Sequence, residues 1–132
     1  MAFPPFRGRY SQNLLLPLYL LLMSKIAALE NLLDENPDDP FIIYALAREY
    51  EQQAGSMQAA LMYEHLVTNY PDYIATYYHY AKFLQEAGNH NEALRLLMKG
   101  IERGLEAKEL HAVNEMKELL ALWTVGKDEE EG

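Results

Sequence analysis

Two stretches of the chain repeat the same helical pattern 34 residues apart, and this period limits the possible folds more than any other feature. Apolar residues recur at intervals of three and four, which is the spacing of one face of an α-helix. The first stripe, Ile43, Leu46, Ala47 and Tyr50, has its counterpart in Tyr77, Tyr80, Ala81 and Leu84. The following helices repeat the relation, with Ala59, Tyr63 and Leu66 against Ala93, Leu97 and Gly100. The period predicts an all-α chain of stacked helix pairs.

Residues that start and stop helices agree with this division. Asp39 can cap a helix whose first position is Pro40, where a missing N–H costs nothing. Asn89, with Glu92 three residues later, predicts a capping pair at the start of another helix. Gly104 predicts the end of that helix. The turns are short, so we expect consecutive helices to run antiparallel.

A 34-residue helix–turn–helix unit resembles the tetratricopeptide repeat (TPR) family. Ala47 and Ala81 match the small eighth position of that family, and Ala59 and Ala93 match its alanine at position twenty. Pro71 matches the proline that closes a repeat. The resemblance implies a short α-solenoid of antiparallel helix pairs, a TPR-like superhelix. It divides the chain into whole repeats at 40–73 and 74–107, followed by a capping helix at 108–123.

Residues 23–123 are therefore predicted to form one TPR-like helical domain, and 124–132 to form an acidic, flexible tail. Ser24 to Asp39 resembles the second half of a preceding repeat. Stacked repeats generally need about three units to be stable. Either the flanking helices complete the core, or the chain completes it with another copy of itself as a homodimer.

The first 22 residues differ from the rest, because they carry Arg7 and Arg9 and no acidic residue. The other 110 residues carry nine basic and twenty acidic residues. A ten-residue apolar run from Leu14 to Met23 is half the length that spans a bilayer. Three interpretations of residues 1–22 stay open: a leader upstream of a start at Met23, a signal or membrane anchor, and an extra apolar helix that covers the core.

Several function classes find no support in the sequence. The chain has no cysteine, and its four histidines show no metal-ligand spacing, so we predict no metal and no cofactor. No nucleophile elbow or phosphate loop is present, and we predict that the protein is not an enzyme. A net charge of −9 argues against nucleic acid. Acidic residues are interpreted as solvated helix faces, for example Glu92 paired with Lys99.

The TPR resemblance implies a binding groove lined by the first helix of each repeat. The groove positions that we predict to bind a partner are Phe41, Tyr44, Arg48, Tyr78, His79 and Lys82. We expect Tyr44 to stack over Tyr78 and Arg48 over Lys82. Two phenols beside two cations would favour a carboxylate-bearing peptide. In a competing interpretation the tyrosines only cover each other, and the two cations pair with Glu51 and Glu86.

The predicted function is a non-enzymatic protein–protein interaction module, a scaffold or adaptor that binds a peptide or a partner helix in this groove. The alternative is a structural self-assembly unit, homodimerising, or an accessory subunit of a larger complex. We predict a cytoplasmic location. The exception is a genuine signal or anchor in residues 1–22, which would make the protein exported or membrane-bound.

Overall fold

A computed structural model of the protein describes residues 15–131, and across this range the regular structure is entirely α-helical. Residues 1–14 and 132, and with them Arg7 and Arg9, lie outside the described residues. The six helices of the described range are α1 (Leu15–Glu35), α2 (Pro40–Gln52), α3 (Ser56–Asn69), α4 (Ala75–Glu86), α5 (His90–Glu106) and α6 (Leu110–Glu131). The predicted all-α class is confirmed. Each predicted repeat contains two helices, while the repeat limits themselves stay a prediction.

The start of α2 follows from two adjacent residues. A carboxylate oxygen of Asp39 accepts a hydrogen bond from the backbone N–H of Phe41 at 2.9 Å. Pro40 occupies the first turn, where its missing N–H leaves no bond unmade. The small residues of the repeat are fully buried, as close helix packing requires: Ala47, Ala59, Ala81 and Ala93.

Two details of α5 differ from the sequence-based expectation. Asn89 occupies the cap position, but its side chain makes no capping hydrogen bond. Glu92 binds Arg95 instead of reaching back to the Asn89 N–H. Gly104 does not end the helix, which continues to Glu106. This glycine is buried and serves close packing rather than a turn.

The chain divides into two compact units, one ending at Ala59 and the other beginning at Ala60. In the first unit α1 packs against α2. Ile26 on α1 is buried, as are Ile42 and Leu46 on α2. The Tyr50 hydroxyl donates to Glu30 at 3.2 Å, which ties the end of α2 to α1.

In the second unit α5 packs against both α4 and α6. Two glycines allow this close approach. A Cβ built at Gly100 would lie 2.5 Å from Cβ of Tyr77 and 2.6 Å from Sδ of Met116. A Cβ at Gly104 would lie 2.7 Å from a methyl of Val113. The Tyr77 hydroxyl donates to the backbone oxygen of Pro71 at 2.6 Å, which anchors the turn before α4.

Both ends of the described range are helical. The backbone of 124–131 continues α6, where the sequence predicts a tail. The prediction of a flexible tail used only the charge of this segment. Lys and Glu also have high helix propensity, which favours continuation of the helix. At the other end Leu18, Leu20 and Leu21 are each slightly more than half exposed. No helix of the described range is both long and apolar enough to cross a membrane.

Candidate functional site

One predicted binding group forms a compact cluster on α4. The rings of Tyr78 and His79 meet edge to face at 5.1 Å. The ammonium nitrogen of Lys82 lies 5.4 Å from the centre of the Tyr78 ring, within the range of a cation–π contact. Both rings are half-buried and Lys82 is exposed. These three residues, the α4 cluster, combine aromatic area with a positive charge at the surface of one helix.

The other predicted binding group lies on α2. Phe41 is 61% exposed, while Tyr44 and Arg48 are half-buried. A guanidinium nitrogen of Arg48 lies 2.5 Å from a carboxylate oxygen of Glu51, one helical turn away. Arg48 is thus ion-paired in the way that the competing interpretation expects.

Lys82 behaves differently from Arg48. It forms no ion pair with Glu86 among the described residues, and its contact is with the Tyr78 ring. Tyr44 belongs to the first unit and Tyr78 to the second. The expected stacking of Tyr44 over Tyr78, and of Arg48 over Lys82, stays a prediction.

The buried side of α4 is held by a tyrosine pair. Tyr80 is 8% exposed and stacks on Tyr63, with ring centres 5.2 Å apart and planes inclined by 15°. The Tyr80 hydroxyl donates to a carboxylate oxygen of Glu64 at 3.1 Å. Burial, with a smaller contribution from this hydrogen bond, raises the pKa of Tyr80 to about 12. The α4 cluster therefore lies on a helix whose inner face is fixed by packing.

Three histidines have local partners that account for their position. His65 contacts the Asn69 side chain at 3.0 Å, and His90 contacts Gln85 at 2.8 Å. His111 lies 2.6 Å from Glu115 on the same helix. Among the described residues no three His, Asp or Glu side chains come together as a metal site would require.

Sequence reasoning missed a row of cations on α5. Arg95, Lys99 and Arg103 are spaced by four residues, a signal that the helical period alone would have revealed. The predicted pair of Glu92 with Lys99 is wrong. Glu92 instead accepts two hydrogen bonds from Arg95, at 3.0 and 2.5 Å, which lowers the pKa of this carboxyl.

A buried hydroxyl was also missed. Thr76 is fully buried on α4, and its Oγ1 has no hydrogen-bond partner among the described residues. An apolar stripe read from the sequence cannot identify such a group, because threonine occurs on both faces of helices.

Known structures show the same helical arrangement. A solution NMR structure of a tetratricopeptide repeat domain protein from Salinibacter ruber is 32% identical, with a TM-score of 0.62 over 64% of this chain and 85% of that one. A crystal structure of a tetratricopeptide repeat domain protein from the same organism is 31% identical, with a TM-score of 0.63 over 67% of this chain and 98% of that one. No protein-family model matches the chain, and no curated protein does. The identity, together with nearly complete coverage of the crystallised domain, shows that the chain belongs to the tetratricopeptide repeat family.

Proposed function

We propose that the protein is a non-enzymatic interaction module that binds a carboxylate-bearing peptide or partner helix through the first helix of each repeat. The observation that carries this proposal is the α4 cluster, in which Lys82 lies over the Tyr78 ring. TPR domains generally bind other proteins or peptides, which supports the same class of partner.

The chemistry of the α4 cluster favours an anionic ligand group. A cation over an aromatic face keeps its remaining N–H donors directed to solvent, where a carboxylate can accept them. The phenol of Tyr78 adds a rigid contact area with little loss of side-chain entropy. At the corresponding positions of the preceding repeat, α2 carries Tyr44 and Arg48, with the exposed Phe41 beside them.

The test begins with a peptide library displayed on phage and panned against the full chain. Affinities of the selected peptides are then measured by fluorescence anisotropy. We expect Tyr78→Ala and Lys82→Glu to weaken binding about tenfold or more, a loss of roughly 1.4 kcal/mol. Tyr44→Ala and Arg48→Glu should act in the same direction, and so should replacing the peptide's carboxylates by amides.

Lys25→Glu is the matched control, because it makes the same charge change at an exposed position of α1. Circular dichroism establishes that each variant is folded. Affinity that is unchanged in all four site variants would refute the proposed binding face.

Self-association is the second candidate function. On α6, Leu122 is 72% exposed and Val125 is 54% exposed, while Trp123 between them is half-buried. Apolar area of this kind at the last helix of a repeat array can be covered by another copy. A light-scattering mass of two chains for the full protein would favour this candidate over peptide binding.

We further propose that the protein acts in the cytoplasm and uses neither nucleic acid nor a cofactor. The net charge of −9 supports the exclusion of nucleic acid, because phosphate neutralisation needs a continuous basic surface.

A further inference from the structure

Three cations follow one side of α5. Arg95, Lys99 and Arg103 are each four residues apart, so they recur about every 6 Å along the helix axis. We call these three residues the cation row. All three line one cleft of about 340 Å³ in the second unit. Three cations around one cleft are unexpected in a chain whose net charge is −9.

The rest of the cleft is partly apolar. On the opposite side, α3 contributes Val67 and Thr68, and Pro71 follows just after that helix. Leu96 on α5 is only 1% exposed and forms part of the floor. A ligand in this cleft would meet positive charge on one wall and aliphatic groups below it.

The outer cations of the row are held in place. Arg95 binds Glu92 through two nitrogens, and Arg103 binds Asp72 at 2.9 Å. Each guanidinium has five N–H donors, so donors remain for a second carboxylate. Pairs this exposed add little stability, but they orient the two guanidinium groups.

Lys99, the central cation, forms no ion pair among the described residues. The carboxylate that lines the cleft is that of Glu64, and it accepts the Tyr80 hydroxyl at 3.1 Å. The lining holds three cations and one carboxylate, while the partners of Arg95 and Arg103 lie outside it. Lys99 is the cation of the row without an ion pair among the described residues.

We propose that this cleft is a second docking site, which binds an acidic peptide segment through the cation row. A carboxylate of the ligand binds Lys99, flanking carboxylates reach Arg95 and Arg103, and an aliphatic side chain packs on the apolar floor. A helical ligand with glutamates four residues apart presents its carboxylates about every 6 Å, which matches the row.

A peptide fits this cleft better than nucleic acid does. A nucleic acid presents a phosphate at every nucleotide and would meet the many carboxylates that surround the row. A short acidic peptide brings only a few charges, and these can all be placed at the cations. The site is separate from the α4 cluster, since the cation row belongs to α5 and its opposite wall to α3.

The experiment uses the full chain and an alanine-based helical peptide with glutamates four residues apart and a leucine beside each. Its counterpart has glutamine in place of every glutamate. We expect the glutamate peptide to bind, and Lys99→Glu to weaken its affinity about tenfold by reversing the central charge. Added salt should weaken the same binding, because the contacts are exposed.

Lys117→Glu is the matched control, since it places the same charge change on the exposed face of α6. NMR chemical shifts of the full chain should move at Thr68 and Lys99 on peptide addition. The proposal would be overturned if Lys99→Glu bound the peptide as tightly as the unchanged chain does. It would also be overturned if Lys117→Glu lost as much affinity as Lys99→Glu, or if the chemical-shift changes were confined to Tyr78 and Lys82. A dimer of the full chain that Lys99→Glu dissociates would do so too, by assigning the cleft to a second copy.

These outcomes are independent of the α4 cluster. Chemical shifts at Thr68 and Lys99 report on the cleft, whereas those at Tyr78 and Lys82 report on the α4 cluster. Failure of the cleft proposal would therefore leave the proposed function intact, and the reverse also holds.

Discussion

At the scale of single residues, Gly100 and Gly104 show how closely α5 packs against its neighbours. A Cβ at Gly100 would overlap Cβ of Tyr77, an atom fixed by the backbone of α4. A Cβ at Gly104 would meet a terminal methyl of Val113, which a change of rotamer can move. The two sites have the same residue type but different freedom to adjust.

We predict that Gly100→Ala destabilises the protein more than Gly104→Ala does. Alanine gains about 1 kcal/mol of helix propensity at either site. Overpacking costs about 1–3 kcal/mol or more, and at Gly100 we expect a net loss of roughly 1–2 kcal/mol in the free energy of unfolding. Urea denaturation followed by circular dichroism measures the difference.

Asn91→Ala, at an exposed position of α5, is the control for that series and should change stability by less than about 0.5 kcal/mol. If Gly100→Ala were as stable as the unchanged chain, this would contradict the claim that α5 packs too closely against Tyr77 to admit a Cβ at position 100.

At the scale of helices, α2 and α4 end in the same way with different residues. Gly55 N–H donates to the Tyr50 oxygen, and Asn89 N–H donates to the Leu84 oxygen, both at 2.8 Å. The residue before each donor adopts a left-handed backbone. This residue is Gly88 with φ +89° after α4, but Ala54 with φ +58° after α2. Left-handed geometry costs an alanine about 1–2 kcal/mol and a glycine almost nothing.

We predict that Ala54→Gly raises the free energy of unfolding by roughly 0.5–1 kcal/mol. The relief of backbone strain exceeds the entropy that glycine adds to the unfolded chain. Ala87→Gly is the matched control, because Ala87 has a right-handed backbone with φ −80°. This variant should lower the free energy of unfolding by about 0.5–1 kcal/mol. Thermal and urea denaturation of both variants test the pair. Destabilisation by Ala54→Gly would contradict the left-handed end of α2.

At the scale of the whole molecule, the fold was predictable and the surface contacts were predictable only in part. The 34-residue period, Asp39 before Pro40 and the four buried alanines depend on local pattern, which sequence carries directly. Partners of charged residues depend on rotamers that a period does not specify. Glu92 therefore binds Arg95 rather than Lys99, and Lys82 lies over Tyr78 rather than beside Glu86.

The functional site was predictable only in part, for the same reason. The helical period brings Tyr78, His79 and Lys82 close together on one helix. The cleft beside the cation row is lined from two helices, with Leu96 on α5 and Val67 on α3. Such a cleft depends on tertiary packing, which no local pattern contains.

Three tyrosines spread over both units make the stability of the molecule sensitive to alkaline pH. Burial raises the pKa of Tyr50, Tyr77 and Tyr80 above the ordinary value of 10.0, and that of Tyr80 reaches about 12. Between pH about 10 and about 12 the unfolded chain has lost the Tyr80 proton that the folded chain keeps, and the raised pKa values of Tyr50 and Tyr77 act in the same direction. The folded state then binds more protons, so the free energy of unfolding falls as pH rises from about 10 to about 12.

We predict that Tyr80→Phe reduces this fall, because the variant has no phenol at position 80 to retain its proton. The difference in slope should amount to on the order of 1–2 kcal/mol across the range. Urea denaturation at several pH values between about 9 and 12 measures it. The variant also loses the hydrogen bond to Glu64, which lowers the free energy of unfolding at every pH by about 1 kcal/mol. The comparison is therefore made between the pH slopes of the free energy of unfolding, not between its absolute values.

Tyr78→Phe, at a half-buried position of the same helix, is the control. Equal slopes for Tyr80→Phe and the unchanged chain would mean that the Tyr80 phenol ionises as readily in the folded protein as in the unfolded one, against its stacking on Tyr63.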